Sequence, residues 1–78
     1  MYSNGIDFLK AMEVFVAVAD SRSMTAAADS LHITQPAVSH YIKQIEREFD
    51  LSLLDRRVRP ICLTSAGTVL RSLAGKLL

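Results

Sequence analysis

Gln35, Ser39, His40 and Lys43 set donors, acceptors and a cation close together along the chain, and Arg56, Arg57 and Arg59 place three guanidinium groups within four residues. No carboxylate interrupts the stretch from Thr34 to Ile45, whereas Glu46, Glu48 and Asp50 follow at once. The first group is suited to meeting an anion, and the second to holding phosphate or another acidic partner through charge. Enzyme chemistry is not expected, because no paired carboxylates, glycine-rich phosphate loop or catalytic triad can be assembled. His32 and His40 are not spaced as metal ligands on one helix, and no thiol or carboxylate completes a set, so neither metal nor cofactor is expected. Cys62 alternates with Ile61 and Leu63 and reads as a strand residue rather than a nucleophile.

The elements that must position these groups follow from caps and periodicity. Thr34 supplies an N-cap hydroxyl and Pro36 occupies a first-turn slot, where its missing N–H costs nothing. Beyond it Val38, Ile42, Ile45 and Phe49 recur at steps of four, three and four, which predicts a helix with one core stripe and leaves Gln35, Ser39, His40 and Lys43 on other faces. Upstream, Met1 to Gly5 reads as a polar arm. Phe8, Leu9, Met12, Phe15, Val16 and Ala19 predict a first helix over about 7–20 with Asp7 near its start. Thr25 is the expected cap of a short alanine-rich helix ending at Leu31, whose small residues permit close helix crossing. His32 and Ile33 make the tight link to the third helix, which gives a helix-turn-helix. Downstream, Leu53-Leu54 and Ile61-Cys62-Leu63 predict an antiparallel hairpin around the basic loop. Thr64 then caps a last helix in which Ala66, Leu70, Leu73 and Leu77 step by four, three and four, with Val69 alongside.

Composition sets the limits within which these elements work. The 78 residues are half hydrophobic, enough for one small domain whose core rarely supplies more than ~3–5 kcal/mol, so a partner or second copy would help it. No apolar run approaches a membrane span and the N-terminus lacks the order of a signal peptide, so the expectation is a soluble, cytoplasmic chain without membrane contact. The single cysteine excludes an internal disulfide. Net charge is only +1, from nine Lys and Arg against eight Asp and Glu, so any anion-binding role rests on where the charges sit rather than on bulk charge.

FVAVADSRSMTAAADSLHITQPAVSHYIKQIE, then LLDR, then RPICLTSAG and the helix after it, appear in that order. With Gln35-Pro36-Ala37 at a fixed distance from Ala27-Ala28 before it and from Leu63-Thr64 to Gly67 after it, the chain resembles the DNA-binding domain of a LysR-type transcriptional regulator over roughly residues 6–78. The resemblance implies a mainly α fold: a winged helix-turn-helix of three helices and a two-stranded wing over 1–63, followed by the start of a linker and dimerisation helix over 64–78. It also implies a third helix in the DNA major groove and a wing at the adjacent minor groove. Thr34, Gln35, Pro36, Ser39, His40 and Lys43 are then the expected contacts of the helix to bases and nearby phosphate. Ser23 and Thr25 would face the backbone at the start of helix two, and Arg56 and Arg59 lie at the base and tip of the wing. The chemistry is compatible: Gln pairs bidentately with adenine, Ser reads donors or acceptors, and the edge of Pro touches a thymine methyl.

This sequence departs from the family pattern at three places. His40 stands where most relatives have arginine, Asp50 replaces the glycine that usually ends helix three, and Leu54 takes a frequent Phe position. Ala66, Leu70, Leu73 and Leu77 are expected to pair with the same helix of a second copy, since a monomer would expose that seam. The family's full chains continue into a domain that senses a small molecule, so these 78 residues are expected to be an isolated DNA-binding piece, with any effector site in the missing part. Two functions stand against each other: a dimeric regulator reading an interrupted palindrome in double-stranded DNA, and a winged helix used for protein association. Without the motif spacing, Gln35 and Ser39 would read as ordinary solvated helix residues.

Overall fold

A computed structural model of the chain describes residues 7–77; the polar arm expected at Met1 to Gly5 lies outside them, as does Leu78. The element order is α1 (Phe8–Ser21), α2 (Met24–Leu31), α3 (Gln35–Phe49), β1 (Leu54–Asp55), β2 (Cys62–Leu63) and α4 (Ser65–Leu77).

Each helix begins where a side-chain oxygen can take an orphan N–H. The Asp7 carboxylate accepts from the backbone N–H of Lys10 at 3.0 Å, and the Thr34 hydroxyl accepts from that of Ala37 at 3.2 Å. Thr64 Oγ1 accepts from the N–H of Gly67 at 3.0 Å. The cap of α2 is Ser23, accepting from Ala26 at 3.0 Å, and not Thr25, which lies inside the first turn. Ser23 has the extended backbone that a cap requires, so the helix starts at Met24, two residues earlier than a Thr25 cap would set it. Helices α1, α2 and α3 each end on a left-handed residue, Arg22, His32 and Asp50. None is glycine, although glycine occupies that conformation without a Cβ penalty.

The core forms where α1, α2 and α3 cross. Met12, Phe15 and Val18 of α1, Ala27 and Ala28 of α2, and Val38, Ile42 and Ile45 of α3 are all buried. A fully buried Phe or Ile contributes about 1.5–3 kcal/mol relative to exposure, so these few side chains dominate stability. The α1 stripe is rotated from the expected one, since Ala11 and Val14 are buried while Phe8 and Leu9 face outward. Phe49, expected to complete the α3 stripe, is 46% exposed. Its ring packs edge-on against Phe8 with centroids 6.2 Å apart.

The hairpin is antiparallel, pairing Leu54 with Leu63 and Asp55 with Cys62. Asp55 thus joins the ladder, while Leu53 and Ile61 lie just outside it and are buried instead. Helix α4 crosses this hairpin closely at Gly67, where an added Cβ would overlap the carbonyl oxygen of Leu53. That oxygen also accepts the N–H of Thr64 at 3.0 Å. The seam of α4 divides: Ala66 and Leu70 pack on the chain's own core, and Gly67 and Ala74 are buried. Leu73 and Leu77 are 51% and 64% exposed and, with Val69, form the outward apolar face.

Candidate nucleic-acid interface

The N-terminal half of α3 presents Thr34, Gln35, Pro36, His40 and Lys43 to solvent, with Ser39 half-buried. Burial of Val38 and Ile42 on the opposite side dictates that orientation, since a helix repeats every 3.6 residues. The first turn of α3 contains no acidic residue, so its free N–H groups and the positive end of the helix dipole favour a negative partner. The hydroxyl of Thr25 in α2 donates to Oε1 of Gln35 at 3.4 Å, which brings the starts of the two helices together. Ser23 lies beside this pair in sequence, but its hydroxyl oxygen is already engaged as the α2 cap.

The three wing arginines differ in electrostatic state. Arg57 forks onto Asp55, Nε to Oδ1 at 3.0 Å and Nη2 to Oδ2 at 3.1 Å, and its backbone N–H donates to the same carboxylate at 3.0 Å. The Arg57 guanidinium and then its backbone N–H hold the Asp55 carboxyl below the usual carboxylate range. Arg56 lies 3.7 Å from Oε1 of Glu46, while Oε2 of Glu46 accepts the N–H of Leu53 at 2.9 Å. Arg59 has no carboxylate partner among the described residues; its Nη1 donates to the carbonyls of Arg56 at 2.9 Å and Val58 at 3.2 Å. Of the three, Arg59 keeps the exposed and uncompensated charge.

Sequence reasoning placed Arg56 at the base of the wing and Arg59 at its tip, but missed the pairing of Arg57 with Asp55 and the polar links at the base of the wing. Glu46 ties α3 to the segment entering β1, and Arg22 ties the α1–α2 turn to Ile61 and Cys62. Both partners lie far along the chain or in a different element, so no local spacing signals them. No group of three or more His, Cys, Asp or Glu able to hold a metal ion occurs among the described residues. No helix there is long and apolar enough to cross a membrane.

The sequence model of the bacterial regulatory helix-turn-helix proteins of the lysR family matches residues 9–68. The RuBisCO operon transcriptional regulator of Allochromatium vinosum is 48% identical over 59 residues, covering 76% of this chain and 20% of that protein. The HTH-type transcriptional regulator BenM of Acinetobacter baylyi is 41% identical over 70 residues, covering 90% of this chain and 23% of that protein. The chain therefore spans about a fifth of the length of these relatives. Among solved structures, the DNA-binding domain of BenM in complex with catB site 1 DNA superposes with a TM-score of 0.86 at 40% identity, covering 88% of this chain and 77% of that one.

Proposed function

Since the chain belongs to the lysR family of bacterial regulatory helix-turn-helix proteins, we propose that it binds double-stranded DNA sequence-specifically within a cytoplasmic transcriptional regulator, as a dimer on an interrupted palindrome. The observation that carries this reading is the exposed, acid-free start of α3, capped by Thr34 and presenting Gln35, Pro36, His40 and Lys43. Its likeness to a domain solved on DNA adds weight. In the major groove Gln35 pairs with adenine N6 and N7, Ser39 reads a donor or acceptor, Pro36 touches a thymine methyl, and His40 donates to guanine. Thr34, Lys43 and the start of α2 around Ser23 and Thr25 hold phosphates and so set the register. Arg59 brings its free charge to the minor groove, with Arg56 at the wing base against the backbone.

Dimerisation uses α4. Val69 and Leu73 line, with Phe49 and Leu51, an apolar groove of about 380 Å³, and α4 of a second copy covers it. A two-fold dimer presents two α3 helices to half-sites related by the same symmetry, hence the palindrome. The remainder of the longer regulator carries the small-molecule effector site, and the whole has no enzymatic role.

A binding titration against a palindromic duplex and a scrambled one, each at low and high salt, tests the proposal. Tighter binding to the palindrome together with a steep salt dependence is expected. Equal, weak and salt-insensitive binding to both would overturn it in favour of a protein-association module.

A further inference from the structure

Arg22 sits at the junction of α1 and α2, and its geometry is unlike that of an ordinary surface arginine. It caps α1 in the left-handed conformation, φ 56° and ψ 34°, with its N–H donating to Val18. A Cβ in that region is strained where glycine is not. Its guanidinium has no carboxylate among the described residues; it reaches instead across 39 residues of sequence, where Nε donates to the carbonyl of Ile61 at 3.1 Å. Nη2 lies 2.6 Å from Sγ of Cys62. Ile61 and Cys62 lead from Arg59 and Pro60 into β2.

The wing needs such an anchor. Its ladder contains only two residue pairs, and an isolated hairpin of that size has little stability of its own. On the incoming side, Glu46 of α3 holds the N–H of Leu53. On the outgoing side the polar link is Arg22, whose next residue, Ser23, is the cap of α2. The guanidinium of Arg22 therefore joins the start of the helix-turn-helix to the residues that follow the arginine loop, Ile61 and the first residue of β2, Cys62.

We infer that Arg22 is a positioning residue for DNA binding, which fixes the wing against the helix-turn-helix so that Arg59 and α3 engage one duplex in register. The inference rests on the reading that the wing touches DNA. A pre-positioned wing binds without first being ordered, so loss of the link weakens binding even when the fold is intact.

Arg22→Gly separates the link from the backbone, because glycine favours the left-handed cap while removing the guanidinium. The variant is expected to keep or exceed the wild-type melting temperature, to show faster amide exchange in the wing, and to bind the preferred duplex about five-fold more weakly. In an Arg59→Ala background the same substitution should change affinity by less than about two-fold, since the two act through one contact. Equal losses in both backgrounds, with the log-affinity against log-salt slope falling by about 1, would make Arg22 a direct phosphate contact and overturn the inference. So would unchanged affinity for Arg22→Gly beside a weakened Arg59→Ala, an outcome that leaves the wing reading standing. If Arg59→Ala itself has no effect on any duplex, the wing reading fails and the positioning role falls with it.

Discussion

Asp20 and Arg71, separated by 51 residues in sequence, meet in a forked ion pair, with Nε donating to Oδ1 at 2.9 Å and Nη2 to Oδ2 at 3.0 Å. The pair joins the last turn of α1 to the middle of α4 and so helps set the direction in which α4 leaves the domain. The Arg71 hydrogen bonds hold the Asp20 carboxyl below its usual range. A depressed folded-state value means that the contribution is fully present above the unfolded-chain value of about 3.9 and is lost as pH falls through the folded one. Arg71→Ala should therefore lower the melting temperature slightly at neutral pH, and the gap to wild type should close as pH is lowered below about 4. A gap that stays constant across that range would assign the loss to packing of the arginine stem instead.

Gly67 allows α4 to approach the hairpin. Because a Cβ there would overlap the Leu53 carbonyl oxygen, Gly67→Ala should destabilise the domain by about 1–3 kcal/mol, the usual range for overpacking, despite the better helix propensity of alanine. Gly75→Ala is the control: the nearest atom is Nη1 of Arg71 at 3.2 Å, the nitrogen left out of the pair with Asp20, which needs to give only slightly, and a small gain is expected. Denaturant unfolding of both variants measures the difference, and equal behaviour would contradict the close approach.

Gln35→Ala should cost ~1–3 kcal/mol on the preferred duplex and little on random DNA, since a base contact contributes only where its base is present. Specificity should relax at one position per half-site. An equal loss on both DNAs would make Gln35 a backbone contact or a support for Thr25.

For Arg59→Ala the expectation is a weaker interaction with every duplex and a log-affinity against log-salt slope shallower by about 1 per protomer. Arg57→Ala should change the slope less, because its charge is already matched by Asp55. Preference for A·T-rich flanks should fall with Arg59 as well, since a narrow groove attracts arginine most. Identical slopes for wild type and Arg59→Ala would exclude the wing from the interface.

Leu73 is half exposed on the apolar face of α4. Leu73→Glu should convert a dimer to a monomer in sedimentation and weaken binding to the palindrome more than to a single half-site, whereas Ala74→Glu should unfold the domain because Ala74 is buried. Unaltered mass and DNA affinity for Leu73→Glu would place the dimer contact elsewhere.

Much of the molecule was legible before any coordinates. Caps and stripes are short-range properties, so Thr34, Asp7 and Thr64 marked helix starts and Val38, Ile42 and Ile45 marked the buried side of α3. Asp50, standing for the glycine expected there, was identified as the end of α3 that it is, and His32 as the link after α2, where it is the left-handed cap. The choice between Ser23 and Thr25 as cap was not legible, because both side chains can accept the bond and only the backbone angles distinguish them.

Long-range relations were beyond sequence reading for a different reason. Periodicity states which residues share a stripe but not how far a neighbouring element covers it, so Phe49 belongs to a regular stripe and still faces solvent, while Ala66 and Leu70 of the α4 seam pack on the chain's own core. The three arginines within four residues differ through their partners: the turn itself gives Asp55 to Arg57 and backbone carbonyls to Arg59, whereas only the fold brings Glu46 of α3 to Arg56. The sequence by itself determined the helices, their order and the acid-free start of α3, all from interactions within a few residues. The partner of Arg56, the pairing of Asp20 with Arg71 and the hold of Arg22 on the wing were decided only by tertiary structure, because those depend on contacts between groups about 10 to 50 residues apart.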